Sequence, residues 1–286
     1  MPYIALITGA SSGIGEATAR RLAREPDAQL ILVARREERL RALADELGSE
    51  RAFVFPADLT DPGKPLQIAK LIEHMYGALH LLVNNAGARW AMDFADGGWS
   101  NVEQHLRVNF EAPVRLVEAL LPLLRRTAAE AGPGSVGGGQ RTAATTFGGR
   151  PLKAPVAIVN VTSTSARIAR LGTGAYSASK AALGAWSDSL YLEERRNGVH
   201  VANVLPGFIA TEGFPQAELR ANRLTRWAVS DAGHVAEAVI AAGPGGAPEV
   251  YVPRYYWLGA VLRVLAPRLI RRGASSSVVA TNTKSV

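Results

Sequence analysis

The sequence predicts a doubly wound α/β fold built on a parallel sheet, on three observations. Short apolar runs alternate with amphipathic segments of helical length, the runs are continuous rather than alternating, and a glycine-rich turn directly follows the first. Continuous apolar strands belong to sheets covered by helices on both faces, and strand–helix–strand repetition builds such sheets. Seven runs read as strands: Tyr3–Thr8, Gln29–Ala34, Ala52–Phe55, Leu79–Asn84, Val156–Thr162, His200–Leu205 and Val250–Val252. Helix patterns separate them. Arg36–Leu47 places Leu40, Leu43 and Leu47 on one face and stops at Gly48, a residue suited to a C-terminal cap. Ser100-x-x-Glu103 has the form of a capping box and opens a long helix toward Arg126. Gly174–Asn197 and Ser230–Ala242 are two further helices.

Composition narrows the function classes. The 286 residues are 48% hydrophobic and 20% charged, enough for one large core and incompatible with wholesale disorder. No cysteine is present, which excludes disulfides, thiolate chemistry and Cys-based metal centres. Lys and Arg number 32 against 25 Asp and Glu, a net charge of +7 that favours anionic ligands or surfaces without naming one. No apolar stretch reaches the roughly 18 residues of a spanning helix. Met1–Ile7 enters the first strand without a basic leader. A cytoplasmic protein is therefore expected. His74, His80, His105, His200 and His234 show no metal-ligand spacing, so no metal is expected and they read as structural or solvated. Nothing suggests base readout, and no nucleic-acid partner is expected.

Two segments break the strand–helix pattern. Thr127–Lys153 is rich in glycine and small polar residues and reads as a flexible surface insertion. Tyr255–Arg272 sets Leu258, Leu262, Leu265 and Leu269 on one helical face among Arg263, Arg268, Arg271 and Arg272, with a kink expected at Pro267. Packing on the body or on a partner subunit is the first reading of this helix and a lid at the substrate mouth the second. Interfacial membrane contact is the least favoured. The expected organisation is one domain over residues 1–253, the amphipathic helix over 254–273 and a disordered tail over 274–286.

The first strand runs into Thr8-Gly9-Ala10-Ser11-Ser12-Gly13-Ile14-Gly15 and then a helix. Glycines at such a turn let the backbone approach a pyrophosphate, which rests on the helix N-terminal amides. Alone, this is a weak motif. Further along stand Asn84-Asn85-Ala86-Gly87, Asn109, Ser163, Tyr176-x-x-x-Lys180 and Pro206-Gly207. With these motifs in this order, residues 1–252 resemble the short-chain dehydrogenase/reductase family. The resemblance implies a seven-stranded Rossmann sheet, a nicotinamide dinucleotide as cofactor and interconversion of a carbonyl and an alcohol.

Cofactor preference is read at the end of the second strand, where Arg35 occupies the slot in which an acidic residue would bind an adenosine ribose. Its guanidinium suits a 2′-phosphate, and family resemblance agrees, so NADP(H) is expected over NAD(H). Ser12 departs from the pattern of many NADP-dependent relatives, which carry a second basic residue there. Arg36 either supplies that charge or is solvated. The resemblance further implies cofactor contacts from Gly9, Ser11, Ser12, Gly13, Ile14, Gly15, Asp58, Leu59, Asn85, Ala86, Gly87, Pro206, Gly207, Ile209 and Thr211. Asp58 has an alternative as a cap, and Asn84 reads as a stabiliser of the sheet core.

Tyr176 and Lys180, four apart in a helix, project from one face. A nearby ammonium lowers a phenol from its usual pKa near 10 by roughly one to three units, which makes the pair a plausible general acid/base. By resemblance, Ser163 orients the substrate oxygen, Lys180 also grips the ribose, and Asn109 supports a proton relay. Thr162 and Ser165 are competing hydroxyls. Phe208 to about Trp227 would form a lid whose apolar residues imply a hydrophobic substrate. A homodimer or homotetramer is implied by resemblance. The competing readings are a non-catalytic NADP(H)-binding sensor and, less favoured, an epimerase or dehydratase.

Overall fold

The computed structural model describes residues 2–131, 146–147, 150–210, 212 and 229–275. Seven strands form one parallel sheet: β1 (Tyr3–Thr8), β2 (Ala28–Ala34), β3 (Ala52–Pro56), β4 (Leu81–Asn84), β5 (Ala157–Val161), β6 (His200–Pro206) and β7 (Glu249–Val252). Their order is β7-β6-β5-β4-β1-β2-β3, so the direction of winding reverses between β1 and β4. This is a Rossmann arrangement, and the crevice of such a sheet opens at that reversal.

Each strand sends alternate side chains to opposite faces, and both faces are apolar. Ala5, Ile7, Leu30 and Leu32 pack with Ala19 and Leu22 of α1 (Gly13–Leu22), Leu40 and Leu43 of α2 (Glu37–Leu47), and Val235 and Val239 of α7 (Ala232–Ala242). Ile4, Leu6, Ile31 and Val33 face the other way. They pack against Ile68 and Ile72 of α3 (Lys64–Tyr76), Leu116, Leu120 and Leu124 of α5 (Ala112–Ala131), and Leu190 of α6 (Gly174–Glu194). The continuous apolar runs follow from this two-sided burial.

The long helix expected from Ser100 is divided. Helix α4 (Phe94–Leu106) begins earlier and breaks at Gly98, whose φ of 51° is left-handed, so Ser100 lies inside it. A π-helical turn over Arg107–Glu111 then links it to α5, which continues to Ala131. The start of the expected insertion is thus helical. Thr127 is buried, accepting from the Leu79 amide and donating to the Leu123 carbonyl, so it belongs to the core. Residues 132–145 and 148–149 lie outside the described residues; Thr146–Phe147 and Arg150–Pro151 pair as a short antiparallel ribbon. Of the expected lid, 211 and 213–227 lie outside the described residues; Phe208–Ala210 pairs in parallel with Val229–Asp231, and Ile209 joins the core. The C-terminal pattern forms two helices, α8 (Tyr256–Leu265) and α9 (Pro267–Ser275), parted at Ala266. Of the expected tail, 276–286 lie outside the described residues.

Two buried features make testable contributions to stability. Asn84 donates to Asn160 Oδ1 (2.8 Å), Asn160 donates to Ser187 Oγ (2.7 Å), and Ser187 donates to the Leu183 carbonyl (2.7 Å). This chain ties β4 and β5 to α6. Asn160→Ala removes both amide contacts and strands the Asn84 donor in the core, so a loss of about 2–4 kcal/mol is expected in urea unfolding. An unchanged midpoint would show the chain to be dispensable.

His80 is the second feature. Its Nδ1 accepts the Ile4 amide at 3.1 Å, and burial lowers its pKa from 6.5 to about 4. Above about pH 6.5 the imidazole is neutral both folded and unfolded. Below that, only the unfolded chain takes the proton, so stability falls between about pH 6.5 and 4, by roughly 3 kcal/mol in total. Urea unfolding across this range checks it: His80→Gln should flatten the decline.

Candidate active site

The site lies along the strand C-terminal ends and begins at the turn after β1. Gly9 (φ +66°) and Gly13 (φ +60°) adopt left-handed backbone that favours glycine. A Cβ on Gly15 would strike the Gly9 carbonyl and come within 2.6 Å of Asn85 Nδ2. The turn is braced from β4: Thr8 Oγ1 accepts from the Asn85 and Ala86 amides (3.0 and 2.9 Å), and Asn85 Nδ2 donates to the Thr8 carbonyl (2.9 Å). Asn85 therefore spends its amide group on the turn itself. A cavity of about 1000 Å³ opens here. It brings together Gly9, Ser11, Ser12, Gly13, Ile14, Arg35, Arg36, Asp58, Leu59, Asn85, Ala86, Gly87, Ser163, Tyr176, Lys180, Pro206, Gly207 and Ile209. Thr211 lies outside the described residues. Gly15 and Asn109 do not line the cavity.

The adenosine end is basic. Arg36 donates to Ser12 Oγ (2.6 Å) and Ser11 Oγ (3.3 Å), so it is anchored over the glycine turn rather than simply solvated. Arg36 and Arg39 both reach Glu212, and the hydrogen bond from Arg39, joined by that from Arg36, lowers the pKa of its carboxyl to about 2. Asp58 accepts from the Thr60 amide and hydroxyl (2.9 and 2.8 Å), which lowers its pKa; it closes a turn ahead of α3. Amides at the start of α1, close-approach glycines and guanidinium groups suit the phosphates of a dinucleotide, and the cavity has room for one.

At the other end stand Ser163, Tyr176 and Lys180. Ser163 caps a single 3₁₀ turn, accepting from the Ser165 amide (3.0 Å), and lines the cavity together with Tyr176. The rival hydroxyls are occupied elsewhere: Thr162 donates to the Val204 carbonyl and Ser165 accepts from Arg170. Lys180 is buried, donates to the Val161 carbonyl (2.9 Å), and burial lowers its pKa to about 8. Asn109 sits in the π-helical turn. Its Oδ1 accepts the Ala88 amide, and its Nδ2 donates to the Ala88 carbonyl and to Ser179. A Cβ on Gly87 would lie 2.8 Å from Asn109 Oδ1 and 3.2 Å from Lys180 Nζ, so glycine lets β4's end pass against both.

The electrostatics differ from the sequence expectation. Burial dominates at Tyr176 and raises its pKa; hydrogen bonding from Ser163 opposes this, followed by the charges of Arg89 and Arg170. Two arginines that the motifs do not include, Arg89 and Arg170, thus also favour the phenolate. Burial lowers the pKa of both. Arg170 lies 4.3 Å over the Phe208 ring and donates to Ser165 (3.0 Å). His105, read as lying outside the site, stands behind the tyrosine. Its Nε2 accepts the Trp90 amide (3.1 Å), its Nδ1 contacts the Asn101 carbonyl (2.7 Å), and its ring meets Tyr176 edge-on at 6.2 Å. Arg89 stands alone among apolar neighbours just after Gly87, whereas Arg170 shares its Ser- and Thr-containing loop with Arg167, so charge alone does not single it out.

A parallel sheet with a dinucleotide crevice and a Ser–Tyr–Lys cluster at its mouth defines a nicotinamide-dependent oxidoreductase. A family model described as short chain dehydrogenase matches residues 3–136 and 153–221, and the chain belongs to that family of NAD(P)-dependent oxidoreductases. The interval between the matched stretches falls in the glycine-rich segment, and α8 and α9 lie beyond them. Among similar proteins is an uncharacterized oxidoreductase of Staphylococcus epidermidis, 29% identical over 209 residues, 73% of this chain and 78% of its own. Another, from Staphylococcus aureus, is 28% identical over 208 residues, with the same 73% and 78% shares. Among solved structures, a short-chain dehydrogenase from Streptomyces avermitilis aligns with a TM-score of 0.73 at 24% identity, over 96% of this chain and 99% of that one. One from Burkholderia cenocepacia, in complex with NADP, aligns with a TM-score of 0.74 at 22% identity, over 96% and 98%.

Proposed function

We propose that this chain interconverts a carbonyl and an alcohol on a small, apolar substrate with NADP(H), using Tyr176 as the general acid/base. The observation that carries the reading is the placement of Ser163, Tyr176 and Lys180 on the wall of the same cavity as the Gly9 turn and Arg35. When bound, the nicotinamide supplies or accepts the hydride. Burial keeps the Tyr176 phenol protonated at neutral pH, ready to donate to a carbonyl oxygen. Ser163 aligns that oxygen. In the opposite direction, Ser163, Arg89 and Arg170 favour the phenolate that takes a proton from an alcohol. Lys180 would hold the ribose, and Asn109 fixes the backbone at Ala88 beside it and would support proton supply.

Cofactor preference rests on Arg35 at the end of β2, with Arg36 placed over Ser11 and Ser12 as a second cation. The Burkholderia structure carries NADP on the same fold. A homodimer or homotetramer pairing through the long helices around Asn109 and Lys180 is part of the same reading. The test is consumption of NADPH and NADH, followed by absorbance, against a panel of aldehydes and ketones. NADPH-dependent reduction of apolar carbonyl compounds is expected. Equal or better use of NADH would refute the cofactor assignment, and inactivity across the panel with both would refute the reaction.

A further inference from the structure

Among their described side chains, the two C-terminal helices hold no fully buried residue. Helix α8 reads Tyr-Trp-Leu-Gly-Ala-Val-Leu-Arg-Val-Leu, apolar on every side except Arg263, yet no residue in it is buried. Val264 and Leu265 are 77% and 76% exposed, Leu269 in α9 is 64% exposed, and Trp257, Leu258, Val261 and Leu262 are exposed beside them. A helix of this kind persists only where something apolar covers it.

What covers it is indicated by charge. The sequence has no acidic residue after Glu249. Arg254, Arg268 and Arg271 are exposed around the apolar surface, with Arg263 half-buried within it. A second copy of the chain is a poor cover, because a two-fold contact would set this arginine cluster against itself without a carboxylate to pair it. An anionic bilayer satisfies both properties at once: its acyl boundary takes the leucines and its headgroups take the arginines. Trp257, Tyr255 and Tyr256 are residue types that settle at that boundary. Among the described residues no helix is long and apolar enough to cross a membrane, so contact would be interfacial.

The apolar surface continues toward the cavity. Tyr256 packs on Gly207, where a Cβ would lie 2.6 Å from its ring, and Gly259 lies against Ile168. Along the same loop Leu171 is exposed, and Gly172 accepts the Met92 amide (3.0 Å); Met92 and Phe94 are exposed as well. We propose that α8 and α9 dock the protein on an anionic phospholipid surface, with the mouth of the cavity beside the bilayer.

The test is flotation of the full chain with vesicles of phosphatidylcholine, alone or with about 30% phosphatidylglycerol, at about 0.1 M salt. Binding is expected on the anionic vesicles, weakened by high salt and nearly absent on the neutral ones. Arg268→Ser/Arg271→Ser should lower partitioning about thirtyfold. Val264→Asp/Leu265→Asp should abolish it while NADPH binding and the melting curve hold. If that variant misfolds, the arginine pair alone decides. Equal binding to both vesicles that ignores the arginine substitutions overturns the proposal. Absence of binding overturns it too, whether the protein is monomeric or self-associates in a way that Val264→Asp/Leu265→Asp breaks, in which case a second copy is the cover.

Discussion

Tyr176→Phe is expected to lower carbonyl reduction about 10³-fold while NADPH affinity stays within about twofold. The substitution deletes one oxygen, the phenol group on the cavity wall whose ionised form Ser163, Arg89 and Arg170 favour. The ring, its edge contact with His105 and the helix that carries it are untouched. Single-turnover reduction and a separate titration of NADPH binding measure the two halves of the expectation. Retained turnover would remove the phenol from the chemistry. Loss of binding along with turnover would mean that the residue shapes the nucleotide site rather than the reaction. A non-catalytic dinucleotide sensor predicts a third pattern, with no turnover to lose in the parent protein.

Arg35→Asp is expected to lower kcat/KM for NADPH by about 100-fold or more and to leave NADH within a few-fold. A charge-assisted contact to a phosphate contributes roughly 1.5–3 kcal/mol, and a carboxylate in its place adds repulsion. Arg35 is exposed at the rim of the cavity, so the change should not disturb packing. Arg36 sets the floor of the effect. It is tied to Ser11, Ser12 and Glu212, and it retains one cation near the turn after Arg35 is gone. Parallel initial-rate measurements with the two nucleotides settle the matter, and an unchanged preference would dismiss Arg35 as the discriminator.

The five inner strands of the sheet were legible in the sequence because each is buried on both faces, which writes an uninterrupted apolar run such as Ile4–Ile7, whereas the edge strands β3 and β7 are only partly buried and were legible as short apolar runs. Tyr176, Lys180 and Ser163 were legible because their spacing is local to one helix and one strand end. The division of the long helix at Gly98 and at Arg107–Glu111 was not. A π-helical turn is set by what the helix packs against, here the Ala88 backbone held by Asn109, and leaves no periodic signature. Arg89 and Arg170 were missed for a related reason. They lie far apart in sequence, in loops, and only the folded crevice brings them to bear on the same phenol. The short pairing of Phe208–Ala210 with Val229–Asp231 has the same origin, since three-residue strands carry too little pattern to distinguish from a loop.

The relay of amides and hydroxyls from Asn84 through Asn160 to Ser187 fastens the helix bearing Tyr176 to the middle of the sheet. Alignment of Tyr176 and Lys180, both on that helix, is thereby inherited from the interior, where mobility is lowest. Heat inactivation and global melting should consequently coincide, and evolution can remodel the entrance for new compounds without detuning the machinery beneath it.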